Sequence, residues 1–118
     1  MPVSSQLPVL VVRFYVTNQG REPVREWLKS LSPENRKAIG ADIKAVQFGW
    51  PLGMPWVRKM DTGLWEVRST IDAGIARVFF TTVGSVMVLL HGFIKKSDRT
   101  PTNDLKLAMR RAKDVHHG

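Results

Sequence analysis

The spacing of apolar residues along the chain switches between a period of two and a period of 3.6, and these switches mark the elements. Residues 1–8 contain prolines and serines without periodicity and are expected to form a mobile lead-in. The β-branched and aromatic run Val9–Val16 predicts a strand. Between Pro23 and Leu31 the apolar residues recur at helical spacing, which predicts a short helix that begins at the proline.

A second helix is predicted directly after the first. Ser32 can cap the free backbone N–H groups of a helix start, and Pro33 fits its first turn. The apolar stripe of this helix ends near Gly49, and the prolines and glycine of residues 51–55 then predict a loop. The two helices therefore form a helical hairpin.

The second half of the chain returns to a period of two and predicts four strands with tight turns between them. These strands are Val57–Met60, Leu64–Thr70, Ile75–Thr82 and Val86–Lys95. Thr100 as N-cap and Pro101 as first helical residue begin a last helix with basic outer faces. The element order predicts an α+β fold with an N-terminal strand, a helical hairpin, an antiparallel β-meander and a C-terminal basic helix. We expect the helices to pack on one face of the sheet, in a single domain spanning residues 1–118.

The charge balance adds a class of partner to this picture. The chain has 18 Lys and Arg against 10 Asp and Glu, a net charge of +8, which attracts RNA, DNA, an acidic protein or an anionic membrane. It has no cysteine, which excludes disulfides, thiolate zinc sites and cysteine nucleophiles and fits a reducing cytoplasm. No apolar stretch approaches the roughly 20 residues of a membrane span, so a soluble cytoplasmic protein without a membrane partner is expected.

Strand alternation collects charged residues on one face of the meander, opposite the apolar face that receives the helices. The set comprises Glu66, Arg68, Arg77, His91 and Lys95. Lys59 and Lys96 are expected at the edges of this surface. Cations can hold phosphates, and Phe79 or Phe93 could stack on bases, so the surface suits RNA. For any single residue, the ordinary alternative is a solvated side chain or an ion pair with a nearby acid such as Glu66.

Several catalytic chemistries have no sequence support. The chain has no HExxH motif, no paired-carboxylate constellation and no glycine-rich phosphate loop, and its ten acids are scattered. If the protein cleaves RNA, we therefore expect cleavage without a metal or another cofactor.

Such cleavage needs a base for the 2′-OH, positive charge for the phosphorane-like transition state and an acid for the departing 5′-oxygen. Arg68 and Arg77 suit the second task. His91, or a lysine such as Lys59 or Lys95, could serve the first or the third, and the residues alone do not decide between them.

Four motifs together resemble the RelE/ParE toxin superfamily, specifically its HigB-like, phage-derived branch. They are G-L-W-E-V-R at residues 63–68, A-R-V-F-F at residues 76–80, L-L-H-G-F-I-K-K at residues 89–96, and the Thr-Pro pair at residues 100–101. The element order matches over roughly residues 9–115.

The resemblance implies a microbial-RNase-like α+β fold and ribosome-dependent, metal-free cleavage of mRNA at the A site. It also implies a type II toxin neutralised by a cognate helix-turn-helix antitoxin, with the ribosome and mRNA as further partners. By motif position, the catalytic residues are Arg68, Arg77, His91 and Lys95. The expected RNA-binding residues are Lys59, Phe79, Phe93, Lys96, Arg99 and Arg110.

Some positions depart from the family pattern. Ala76 stands before Arg77 where relatives often have an aromatic residue, and the only tyrosine, Tyr15, lies on the first strand. His91 is therefore preferred as the acid-base group. Two alternatives stay open: a ParE-like gyrase inhibitor that binds without hydrolysis, and a non-catalytic basic module that binds nucleic acid or a partner protein.

Overall fold

A computed structural model describes residues 7–53, 56–72, 74–95 and 101–117 of the chain. The elements are β1 (Val11–Phe14), α1 (Pro23–Lys29), α2 (Pro33–Gly49), β2 (Val57–Asp61), β3 (Leu64–Ile71), β4 (Gly74–Val83), β5 (Val86–Lys95) and α3 (Thr102–His117). The predicted α+β fold and element order are confirmed. Residues 1–6 of the predicted lead-in and the predicted cap Thr100 lie outside the described residues.

The five strands form one mixed sheet in the order β1-β5-β4-β3-β2. Strands β2 to β5 are an antiparallel meander, whereas β1 pairs in parallel with β5. The β4–β5 turn shows why the sequence folds this way: Val83 pairs with Val86, and the intervening Gly84 has a φ of 58°, which favours glycine. The parallel strand makes β5 a central strand, with neighbours on both sides.

Helices α1 and α2 cover one face of the sheet, which we call the α1–α2 face. The predicted cap is confirmed, because Ser32 Oγ accepts a hydrogen bond from the Asn35 backbone N–H at 3.2 Å. The contact is close at Gly92, where an added Cβ would lie 2.4 Å from the Trp27 ring. The buried core of this face includes Ile39, Ile43, Val46, Val67, Val78, Phe80, Met87 and Leu89.

Helix α3 packs on the opposite face, so the expectation that all helices share one face is wrong. It closes a second apolar cluster around Phe79, Val88 and Ala108. A β-bulge makes this cluster possible. Phe79 pairs with His91 but the next residue, Phe80, pairs with Leu89, which leaves β5 one extra residue, Leu90. The extra residue shifts the alternation and turns Val88 toward the same face as His91, whereas strict alternation predicted opposite faces.

Candidate active site

The strand register brings the predicted charged residues onto one face, beside α3. Arg68 lies opposite Arg77, which lies opposite Phe93, and Lys95 lies opposite Ile75. The prediction of a shared face is confirmed by this register. We call this surface the charged face, and it comprises Glu66, Arg68, Arg77, His91 and Lys95.

Arg77 forms a buried ion pair with Glu66 at the centre of the charged face. Its Nη1 donates to Glu66 Oε1 at 2.5 Å, and the exposed fractions of the two side chains are 4% and 0%. Within the described residues, Glu66 Oε2 and Arg77 Nε have no hydrogen-bond partner. Arg77 therefore does not offer a solvent-exposed guanidinium to a phosphate. It holds its neighbours in place and contributes positive charge from below the surface.

Lys95 lies beside this pair and is itself buried, with 7% of its surface exposed. Burial lowers the pKa of Lys95, the positive charges of Arg77, Arg58 and Arg68 lower it further, and Glu66 acts in the opposite direction. Lys95 therefore releases its proton at a lower pH than an exposed lysine does. A lysine that works as a general base requires this property.

His91 is held by a carboxylate that the sequence analysis did not identify. Its Nε2 lies 2.5 Å from Oδ1 of Asp104, in the first turn of α3. Because a carboxylate can only accept, Nε2 carries the hydrogen and Nδ1 is left for proton exchange. Thirteen residues separate the two partners, and sequence spacing does not show where α3 crosses the sheet. The sequence signal that could have identified this partner was Asp104, an acid in the first turn of the predicted basic helix.

The two predicted stacking residues differ in exposure. Phe79 is fully buried, so its ring cannot stack on a base in this structure. Phe93 is partly buried, and its ring is stacked on His91 with a centroid distance of 5.6 Å and an angle of 20°. The Phe93 ring therefore restricts the plane of the imidazole.

Neighbouring residues of β2 fall on opposite sides of the sheet. Arg58 pairs with Glu66 on the charged face, whereas Lys59 pairs with Trp65 on the α1–α2 side. The placement of Lys59 at the edge of the charged face is wrong, and Arg58 occupies that position. The buried Val57 was the signal, because the residue after an inward-pointing apolar side chain points to the other face.

The remaining predicted residues differ in exposure and position. Arg68 is partly exposed and borders a groove between β3 and α2. Arg110 is exposed on α3. Lys96 and Arg99 lie outside the described residues. Within the described parts of the chain, no group of three His, Cys, Asp or Glu residues could hold a metal, and no helix is long and apolar enough to cross a membrane.

Contacts with β5 and with Tyr15, the residue after β1, fix α3 over the charged face. Arg111 Nη1 donates to the Leu90 carbonyl at the bulge, at 2.8 Å, and its guanidinium lies 5.3 Å from the centre of the Tyr15 ring. The Tyr15 hydroxyl donates to Asp114 Oδ2 at 2.7 Å, and this hydrogen bond raises the pKa of Tyr15. These contacts keep Asp104 within reach of His91.

Comparison with known proteins identifies a family for most of the chain. A sequence model described as phage-derived protein Gp49-like (DUF891) matches residues 26–113. The matched segment runs from α1 into the last turns of α3 and contains the whole charged face and Asp104. No curated protein sequence matches the chain.

Proposed function

The chain belongs to the phage-derived Gp49-like family, which is part of the RelE/ParE-like toxin clan and is associated with toxins of toxin–antitoxin systems, and from this premise we propose that it is a HigB-like type II toxin. Its proposed activity is metal-independent, ribosome-dependent cleavage of mRNA, which stops translation. A cognate helix-turn-helix antitoxin neutralises it. The observation that supports cleavage most directly is the carboxylate-held His91 on the same face as a cluster of cations.

The proposed reaction is attack of the ribose 2′-oxygen on the adjacent phosphorus. The P–O5′ bond breaks, leaving a 2′,3′-cyclic phosphate on one fragment and a 5′-hydroxyl on the other. His91 can exchange a proton through Nδ1 because Asp104 fixes its Nε2–H and its orientation. Lys95, with its lowered pKa, is the partner for the second proton transfer. The dependence of the cleavage rate on pH would distinguish which of the two residues is the base.

Positive charge stabilises the extra negative charge of the transition state. Arg68 is the partly exposed guanidinium of the charged face, and its planar fork matches two phosphate oxygens. Arg77 acts as a positioning residue, because its ion pair with Glu66 fixes the centre of the charged face beside Lys95. This division of roles replaces the sequence expectation that both arginines contact phosphate.

The basic surface of α3 supports docking on ribosomal RNA. Lys106, Arg110 and Lys113 are exposed on the helix, away from its apolar stripe. Residues 95–118 carry seven Lys or Arg against three Asp, which is half of the net charge. Binding of this kind weakens steeply as salt rises, because cations on the protein release ions condensed on the RNA.

The burial of Arg77 and Phe79 favours one second candidate, a non-catalytic module that binds a nucleic acid or a protein such as gyrase. In that case the charged face serves contact alone.

The test uses purified protein, ribosomes and a defined mRNA, with 5′ ends mapped by sequencing. We expect cuts in frame with codons, none on naked mRNA, and fragments that end in cyclic phosphate and 5′-hydroxyl. An mRNA with one 2′-deoxynucleotide at a mapped site should resist cleavage there.

Asp104→Asn should slow cleavage about 10-fold or more, because the imidazole loses its charged partner. No cuts by the wild type, beside active translation and a cutting control toxin, would contradict the proposed cleavage and favour the binding-only candidate.

A further inference from the structure

A groove of about 590 Å³ adjoins the charged face where β3 passes α2. The residues that line it are Ala38, Ala41, Asp42, Trp56, Arg68, Thr70 and Ile75. Two of them connect it to the candidate catalytic residues, because Arg68 lies opposite Arg77 and Ile75 lies opposite Lys95. Its volume is in the range of sites that bind small ligands.

Trp56 gives the groove an exposed aromatic wall. Its exposed fraction is 49%, although an indole is among the side chains that gain most from burial. Trp50 and Trp65, by contrast, contact each other edge to face at 5.1 Å and pack on the core. An exposed aromatic side chain near an arginine such as Arg68 is an arrangement that proteins use to stack unpaired bases of RNA.

Asp42 gives the groove a hydrogen-bond acceptor with a fixed orientation. The Ser69 hydroxyl donates to Asp42 Oδ2 from the adjacent strand. A carboxylate accepts hydrogen bonds and donates none. It therefore suits the edge of guanine, where N1–H and the amino group are adjacent donors, and it repels the two carbonyl oxygens of uracil.

Arg68 supplies the charge that a nucleotide requires. It lies on the row of the sheet that contains Arg77, at the boundary between the groove and the charged face. When Arg68 holds the scissile phosphate, the base of the adjoining nucleotide lies on the Trp56 side and Lys95 lies on the other side. The arginine can donate two parallel hydrogen bonds to such a phosphate.

We propose that this groove binds one unpaired nucleotide of the RNA next to the cleaved bond, and that it selects guanine over uracil. Trp56 stacks on the base, Asp42 accepts from its amino edge, and Arg68 holds the phosphate. The inference rests on the proposed RNA cleavage and specifies its base preference.

The binding test uses the uncleavable 2′-O-methyl trinucleotides AGA and AUA with the protein alone, followed by quenching of tryptophan fluorescence and by calorimetry. We expect AGA to bind more tightly than AUA. Trp56→Ala should weaken AGA binding about 10-fold, as loss of one stacked base does, and Trp56→Phe should recover most of it. The matched control is Phe48→Ala, which removes an exposed aromatic of α2 that does not line the groove. Asp42→Asn should shift preference toward AUA, because an amide can also donate to a uracil carbonyl.

The ribosomal assay separates the failure of this inference from failure of the proposed function. If wild type cuts mRNA while Trp56→Ala binds AGA as tightly and cuts the same sites at the same rate, the groove assignment is overturned and the function stands. If wild type does not cut but AGA binding depends on Trp56 and Asp42, the function fails and the groove stands. Equal affinity of wild type for AGA and AUA overturns the base preference.

Discussion

The two faces of the central sheet use alternate residues of the same strands and bury them by different means. On the α1–α2 face, Val78 and Phe80 pack against apolar side chains of two helices. On the charged face, the intervening Arg77 is as deeply buried but pairs with Glu66. The first arrangement gains stability from apolar area removed from water, whereas the second pays a desolvation penalty that its hydrogen bond only partly offsets.

This difference indicates that the two faces of the sheet have different roles. Apolar residues of similar volume often replace a buried ion pair with little loss of stability, so stability alone does not explain the charges of Glu66 and Arg77. The same surface has the carboxylate-held His91 and the buried Lys95. The α1–α2 face therefore serves the fold alone, whereas we propose that the charged face, beside the apolar cluster that α3 closes on it, also serves the chemistry.

The largest expected effect comes from breaking the buried ion pair. Arg77→Met should lower the free energy of unfolding by about 3–5 kcal/mol, because it leaves the Glu66 carboxylate buried without its partner. The double variant Glu66→Leu/Arg77→Met should recover most of this loss. Urea denaturation at neutral pH measures both. If the single variant loses less than about 1 kcal/mol, the pair is hydrated and the contrast between the faces is not real.

The next effect is overpacking of the α1–α2 face. Gly92→Ala should lower the free energy of unfolding by about 1–3 kcal/mol, because its Cβ meets the Trp27 ring. The control is Gly40→Ala in α2, which has no atom within 4 Å of the added Cβ and should stabilise by up to about 1 kcal/mol. Trp27→Leu should reduce the effect of Gly92→Ala in a double-mutant cycle. Equal effects of the two glycine substitutions in urea denaturation would contradict the close contact.

A smaller effect tests how α3 is held over the charged face. Tyr15→Phe should cost about 0.5–1 kcal/mol, because the hydroxyl donates to Asp114 at the surface. The raised pKa of Tyr15 means that this contribution is present below the unfolded value of 10.0 and is lost as pH rises through the higher folded pKa. Denaturation curves of both proteins from pH 7 to 11 should therefore converge above pH 10. A gap that stays constant would show that the hydrogen bond does not stabilise the fold.

The smallest effect is a pH dependence from Lys95. Its lowered folded pKa means that the unfolded chain binds more protons between that pKa and 10.5, so wild-type stability rises with pH in this window. Lys95→Met removes the titrating group, so its curve should lack this rise. The measurement is the difference in free energy of unfolding between the two proteins from pH 7 to 10.5. A difference that is independent of pH would mean that burial does not alter the pKa of Lys95.

Local signals made most of the fold predictable. The bounds of β5 agree with the prediction at both ends, and Ser32 and Pro33 mark the start of α2. Strand alternation also predicted the shared face of the charged residues, because it needs only the register of neighbouring strands.

The features that the sequence did not predict depend on tertiary contacts. The bulge at Leu90 reverses the direction of Val88, and no local pattern marks it. Helix α3 packs on the cluster that contains Val88, and the contact of His91 with Asp104 depends on the position of α3. The ion pair of Arg77 with Glu66 was one of the alternatives considered from the sequence, but the burial of the pair was not predicted.

The most direct test compares two adjacent residues of β5 that face opposite sides, His91 and Gly92, in the ribosomal cleavage assay. We predict that His91→Gln lowers the cleavage rate by about 100-fold or more, the contribution of an acid-base group, and changes the free energy of unfolding by less than about 1 kcal/mol. Gly92→Ala should lose stability but cut the same sites at the wild-type rate per folded molecule. Cleavage by His91→Gln at the wild-type rate would contradict the assignment of the chemistry to the charged face.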